Sequence, residues 1–207
     1  MNKARRTVGI VDYGVGNHAS VLRSVRQLGF RARVSHSIDQ LDQVDVMLLP
    51  GVGAFPMAME RLHSLDLVRY LHRASQLGRP IIGICLGMQL LAESSTEMGL
   101  TAGLGLIPGV VEAIGQPRWH IGWNGLEILP GHPLFQESDR EVMYFNHSYA
   151  YQGPKDFVVA SCRVSEGSSA IVAAIARGSV MGLQFHPEKS QAPGLDLLAR
   201  LIGEDFS

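Results

Sequence analysis

The chain has 207 residues, 46% apolar and 18% charged, and its 18 Lys and Arg against 19 Asp and Glu leave a formal net charge of −1. That length predicts one domain over residues 1–207 with a core that needs no staples, and the near-neutral balance argues against nucleic acid or an anionic membrane as partner. Two cysteines, Cys85 and Cys162, make neither a disulfide framework nor a zinc cluster, so a reducing compartment is the default.

The start, Lys3-Ala4-Arg5-Arg6, has the charge of a signal n-region. Only Val8-Gly9-Ile10-Val11 follows before Asp12, so no apolar h-region is present. Thr7–Val11 reads as a buried strand closed by Asp12-Tyr13-Gly14. Val21, Leu22, Val25 and Leu28 fall at helical spacing, with Gly29 where a helix-ending glycine belongs. Phe30–Val34 and Val44–Leu49 read as strands, the latter stopped by Pro50-Gly51. A helical region from about Met57 to Leu77, broken near Ser64, precedes a strand at Pro80–Ile84 and a helix at Leu86–Ala92. The second half offers short strands at Val110–Ile114, Leu126–Leu129, Val142–Phe145, Phe157–Cys162, Ala170–Ala176 and Val180–Phe185. A closing helix puts Leu195, Leu198, Leu201 and Ile202 on one stripe. The order predicts an α/β fold: an open, mostly parallel mixed sheet with helices on both faces, in three layers. The longest mainly apolar stretch, Ile81 to Ala92, is far short of the ~18–20 residues of a membrane span, so a cytoplasmic protein without a membrane partner is expected.

Gly83-Ile84-Cys85-Leu86-Gly87 carries the sharpest chemical signal. It joins a strand to a helix through a cysteine with a glycine two residues away on each side, the pattern of a nucleophile elbow. The turn leaves no room for flanking Cβ atoms, the following helix points its positive end at the sulfur, and the Leu86 amide is placed for a developing oxyanion. A thiolate wants a base. In Gln184-Phe185-His186-Pro187-Glu188 the proline favours extended backbone at His186, so His186 and Glu188 point to one side and the carboxylate can orient the imidazole. Pro50-Gly51-Val52-Gly53-Ala54-Phe55-Pro56, at another strand end, lets backbone approach a ligand, and its amides could supply a second oxyanion donor. Gly14-Val15-Gly16-Asn17-His18-Ala19 matches a dinucleotide-binding pattern, but no acidic residue follows the second strand until Asp39. His120, His132 and His147 lack metal-ligand spacing, so no metal is expected. Cys162 reads as an inert core thiol, the aromatic residues Trp119, Trp123, Tyr144 and Tyr149 as packing, and Lys189-Ser190 as a solvated loop.

The Cys85 and His186-Pro187-Glu188 blocks resemble those of class I, triad-type glutamine amidotransferases. Asp12-Tyr13-Gly14, Pro50 to Phe55, Tyr144-Phe145-Asn146-His147-Ser148-Tyr149 and Lys189-Ser190 narrow the resemblance, over about residues 8 to 202, to glutaminase subunits serving histidine biosynthesis. The resemblance implies a flavodoxin-like fold and no cofactor. It implies Cys85 as nucleophile on L-glutamine, His186 as base and acid, and Glu188 orienting it. Val52 and Leu86 would supply the oxyanion amides, and Gly51, Gly53, Gln89, Glu97, Ser148 and Tyr149 would hold glutamine. It also implies delivery of ammonia to a separate HisF-type (β/α)₈-barrel cyclase that makes imidazole glycerol phosphate and an aminoimidazole carboxamide ribotide. Such a barrel takes about 250 residues and cannot fit here. Tyr13, Asn17, Trp123, Tyr144 and Lys189 are the expected contacts in that heterodimer. Trp119 and Ile121 stand where the family has Pro and Met, and Asn146 where an apolar residue is common. These departures keep open a paralogue feeding another acceptor, such as a surface-polysaccharide sugar. A redox sensor or chaperone of the PfpI type shares the sheet order and the elbow but has no need of His186-Pro187-Glu188.

Overall fold

A computed structural model of the chain describes residues 6–115, 118–165 and 168–204. Of the basic start, Lys3, Ala4 and Arg5 lie outside the described residues. The elements run β1 (Thr7–Val11), α1 (His18–Gln27), β2 (Arg31–Ser35), α2 (Ile38–Leu41), β3 (Val46–Gly51), α3 (Phe55–Ser64), α4 (Leu67–Gln76), β4 (Ile81–Cys85) and α5 (Leu86–Leu90). Then come β5 (Ser94–Ser95), β6 (Thr101–Ala102), β7 (Val110–Ala113), β8 (His120–Gly125), β9 (Glu127–Ile128), β10 (Val142–His147), β11 (Tyr149–Gln152), β12 (Val158–Cys162), β13 (Ile171–Arg177), β14 (Val180–Leu183) and α6 (Gln191–Gly203).

Eight strands form the main sheet in the order β2-β1-β3-β4-β14-β13-β12-β9. The five from β2 to β14 are mutually parallel, and β13, β12 and β9 add antiparallel. Alternate side chains of each strand enter opposite layers. Val8, Ile10, Val46, Leu48, Ile82 and Ile84 pack with Val21 and Val25 of α1 and Leu197, Leu198 and Leu201 of α6. Met47, Leu49 and Ile81 pack with Ala58, Met59 and Leu62 of α3 and Leu71 and Ala74 of α4. This is the α/β sheet with helices on both faces that the alternation of elements predicts.

The remaining strands build a two-stranded ribbon, β10-β8, and a small sheet, β11-β7-β5-β6. The ribbon pairs Tyr144 with Trp123 and His147 with His120. No sequence expectation includes β8, because its pattern is inverted. Ile121 is 61% and Trp123 46% exposed, while His120 is fully buried, so the apolar residues face out and alternation misleads.

Three boundaries bear on expectation. β3 continues through Pro50 and Gly51, which pair with Ile84 and Cys85. The break after α3 falls where expected, and Asp66 enters the left-handed region there (φ 57°). α5 stops at Leu90, where the Leu91 and Ala92 amides tighten onto Met88 and Gln89. Its few peptide units make a weaker dipole at Cys85 than the expected Leu86–Ala92 helix would. Among the described residues no helix is long and apolar enough to cross a membrane.

Candidate active site

The C-terminal ends of β3, β4 and β14 lie side by side, and open α/β sheets place ligands at such strand ends. Cys85 closes β4 with φ 56° and ψ −110°, a backbone conformation that costs about 1–3 kcal/mol and persists only when its surroundings enforce it. Those surroundings are two glycines. A Cβ on Gly83 would come 2.5 Å from the Gly87 carbonyl oxygen, and one on Gly87 would land on the Leu49 carbonyl oxygen. Gly83 therefore lets the turn close on itself, and Gly87 lets α5 lie against β3.

Beyond β14 the chain turns through a short 3₁₀ segment, Pro187–Lys189. His186 Nδ1 lies 2.9 Å from Glu188 Oε1, with the two side chains 4% and 1% exposed. The turn is stitched to β10. The His186 amide donates to the Tyr144 carbonyl at 2.9 Å, the Tyr144 amide donates to Ser190 Oγ at 2.9 Å, and Ser190 Oγ donates to the His186 carbonyl at 2.6 Å. Ser190 is fully buried, which corrects the expectation of a solvated Lys189-Ser190 loop: the serine braces the turn, and Lys189 alone is exposed. Burial pulls the His186 pKa down. Hydrogen bonding to Cys85 and Glu188, together with their negative charge, outweighs it and raises the pKa to about 9.

Cys85 and His186 open into a cavity of about 380 Å³, within the size range of small-molecule sites. The structure brings Val52, Gly53, Leu86, Gln89, Glu97, Ser148, Tyr149 and Lys189 to its walls. Val52 follows Gly51, the β3 residue that pairs with Cys85, and Leu86 follows Cys85 itself. Gly51 lies beneath, where a Cβ would meet the Tyr13 hydroxyl and the Leu86 side chain. Glu97 reaches across to accept from the Phe55 amide at 2.8 Å. It thereby caps α3, whose own N-cap residue, Ala54, has no side-chain acceptor. Asn146 and His147, from the same block as Ser148 and Tyr149, also line the cavity, although the sequence by itself gives neither a role there.

One expected contact is misplaced. Tyr13 is fully buried and donates its hydroxyl to the Pro50 carbonyl at 2.7 Å, so it holds the loop below the site and cannot meet a docking partner. Asn17 is half-buried and caps α1 by accepting from the Ser20 amide at 3.3 Å. Trp123, Tyr144 and Lys189 do form an outward cluster. The two rings meet edge to face at 5.6 Å, and Lys189 Nζ lies 5.8 Å from the Tyr144 ring centre. Trp119 and Trp123 are exposed, against the expectation that they pack. Among the described residues no His, Cys, Asp and Glu cluster could hold a metal.

His147, in the cavity wall, pairs with the fully buried His120. His120 Nδ1 is 2.9 Å from His147 Nε2, and His147 Nδ1 is 2.8 Å from the Tyr149 carbonyl. Burial lowers both pKa values, that of His147 to about 4. The sequence separation of 27 residues hides this pairing, which only the β8–β10 register creates.

Residues 9–202 match the family model for glutamine amidotransferase class-I. The chain is 43% identical over 195 residues to the imidazole glycerol phosphate synthase subunit HisH of Streptococcus gordonii, covering 92% of this chain and 93% of that one. It is 40% identical over 203 residues to the HisH subunit of a Cyanothece species, covering 95% of each. Among solved structures it is similar to a glutamine amidotransferase, with a TM-score of 0.74 and 19% identity over 95% of this chain and 99% of the other. A putative GMP synthase component from Thermoplasma acidophilum gives a TM-score of 0.73 at 22% identity, over 98% of this chain and 94% of that one. These two likenesses speak to the fold.

Proposed function

The chain belongs to the class I glutamine amidotransferase family, and on that premise we propose that it is the glutaminase subunit of an imidazole glycerol phosphate synthase, a single domain over residues 1–207 working in the cytoplasm. What supports this reading most is the meeting, in one cavity, of a cysteine on a strained elbow with a histidine held 2.9 Å from a buried carboxylate. A redox sensor needs the first of these but not the second. The names of the relatives favour the histidine pathway over a paralogue with another acceptor.

In the proposed reaction the Cys85 thiolate attacks the carboxamide carbon of L-glutamine, and the carbonyl electron pair moves onto oxygen. The Val52 and Leu86 amides hold that oxyanion. His186, already protonated, gives its proton to the amide nitrogen, the C–N bond breaks, and ammonia leaves behind a γ-glutamyl thioester. The now neutral imidazole takes a proton from water, whose oxygen attacks the thioester carbonyl. Collapse breaks the C–S bond, releasing glutamate and restoring the thiolate and imidazolium. Glu188 keeps the ring oriented and offsets its charge. Gly51, Gly53, Gln89, Glu97, Ser148 and Tyr149 shape the pocket for the amino-acid part of the substrate.

Ammonia would be protonated and lost if released to water, so a separate HisF-type barrel cyclase must dock over the cavity. Trp123, Tyr144 and Lys189 form the candidate contact, in the aromatic and long charged residue types that anchor interfaces. Reconstitution with such a barrel cyclase tests the whole reading. Cys85→Ala should abolish glutamine-dependent synthesis while synthesis from ammonium salt persists. Retention of glutamine hydrolysis by Cys85→Ala would defeat it.

A further inference from the structure

Gln184 is fully buried one residue beyond β14 and has no part in the chemistry just described. Its Nε2 lies 3.9 Å from Cys85 Sγ, within reach of sulfur's large radius, and its Oε1 lies 3.1 Å from Gln89 Nε2. Gln89 Nε2 also lies 2.9 Å from the Tyr149 carbonyl. A backbone carbonyl can only accept. Gln89 must therefore turn its NH₂ toward Tyr149, and the second hydrogen of that group meets Gln184. Gln184 must answer with its oxygen, which leaves its own NH₂ facing the sulfur. No other orientation of the two carboxamides satisfies the chain: reversing Gln89 sets acceptor against acceptor, and reversing Gln184 sets donor against donor. The starting point is held independently, since His147 Nδ1 lies 2.8 Å from the same Tyr149 carbonyl.

We propose that Gln184 holds the nucleophile in its thiolate form, its carboxamide N–H turned onto the Cys85 sulfur by a polarity relay that begins at the Tyr149 carbonyl and passes through Gln89. Besides the His186 imidazole, which hydrogen-bonds to it, Cys85 has two polar neighbours of opposite kind at the same distance. As a thiol it can donate to the Asn146 carbonyl at 3.9 Å, and as a thiolate it accepts from Gln184. A donor aimed at the charged form favours that form. Gln89 then has both amide hydrogens committed, so toward the cavity it can offer only its oxygen. In this scheme Gln89 is a positioning residue and Gln184 touches the reacting atom.

The inference rests on the reading of Cys85 as nucleophile, yet its test needs no turnover. Carbamidomethylation of the full chain by iodoacetamide is followed against pH, with the Cys85 and Cys162 peptides quantified separately. Gln184→Met removes the donor at similar volume and should move the Cys85 midpoint upward by about one pH unit, a roughly tenfold loss of thiolate below it. Gln184→Glu keeps the shape, replaces donor with acceptor and should move it further. Gln89→Met cuts the relay one link earlier and should shift it in the same direction by less, which a merely structural residue away from the sulfur would not do. If any one variant fails to fold, the other two still decide. An unmoved Cys85 profile in folded variants overturns the relay while leaving the nucleophile intact. Hydrolysis that survives Cys85→Ala overturns the nucleophile reading whatever the alkylation profile shows.

Discussion

Cys85 and Cys162 occupy matching places: each ends a strand of the same eight-stranded sheet, and the two strands run in the same direction. Their surroundings could hardly differ more. Cys162 sits fully buried against apolar neighbours, and burial, helped by the negative charge of Glu127, pushes its pKa up to about 12. Cys85 is bent out of its strand by φ 56°, opens into a cavity, and has the His186 imidazole and the Gln184 carboxamide nitrogen beside it. The strand end supplies position only. The reactivity proposed for Cys85 rests on a backbone that costs energy to hold and on the polar groups gathered around it.

The imidazole beside Cys85 is where that contrast breaks most severely. His186→Asn should reduce glutamine hydrolysis in the reconstituted complex by about 10²–10⁴-fold. Glu188→Gln should cost less, since it only orients and stabilises. Steady-state rates of the two variants check the order, and the reverse order would require another group to orient the ring. A glutamine-like diazoketone should modify Cys85 about 100-fold faster than Cys162, whose thiol is almost wholly protonated at neutral pH. Peptide mapping reads the ratio, and an adduct on Cys162 would erase the distinction between the two sites.

Gly87→Ala forces a Cβ onto the Leu49 carbonyl and should destabilise the protein by about 3 kcal/mol. Gly115→Ala, where a Cβ meets nothing within 4 Å, should stay within about 0.5 kcal/mol. Urea midpoints compare them. Cys162→Ala should cost about 1 kcal/mol through its small cavity and leave the reconstituted glutaminase rate unchanged.

A pH limb should be fainter still. A histidine whose folded pKa is raised binds its proton more tightly in the native state. His186 therefore adds stability that is complete below its unfolded pKa of about 6.5 and is lost as pH climbs through about 9. Thermal unfolding between those values should show the limb in wild type and in Cys162→Ala. It should flatten in Cys85→Ala, where the sulfur that helps hold the proton is gone.

The elbow and the His186–Glu188 pair are legible in the sequence because each is local. Glycines two residues from Cys85 and a proline between His186 and Glu188 dictate backbone geometry within a handful of residues. The antiparallel ribbon is not legible. β8 hides its polar residues and shows its apolar ones, so periodicity reveals neither the strand, nor the His120–His147 pair, nor the exposure of Trp123. Tyr13 misleads for a related reason. It lies in a loop, where residues usually face solvent, but β3 running on through Pro50 provides a carbonyl that draws its hydroxyl inward.

Short-range sterics written into the chain settle the order of strands and helices, the sharp turn at Cys85 and the shared direction of His186 and Glu188. Folding in three dimensions makes β4 and β14 neighbours although about 100 residues separate them, and so brings the Cys85 sulfur to the His186 imidazole. It also sets which way the carboxamides of Gln89 and Gln184 point. That orientation is fixed by a carbonyl on a third segment, and hydrogen-bond polarity passes between side chains that no local pattern could have joined.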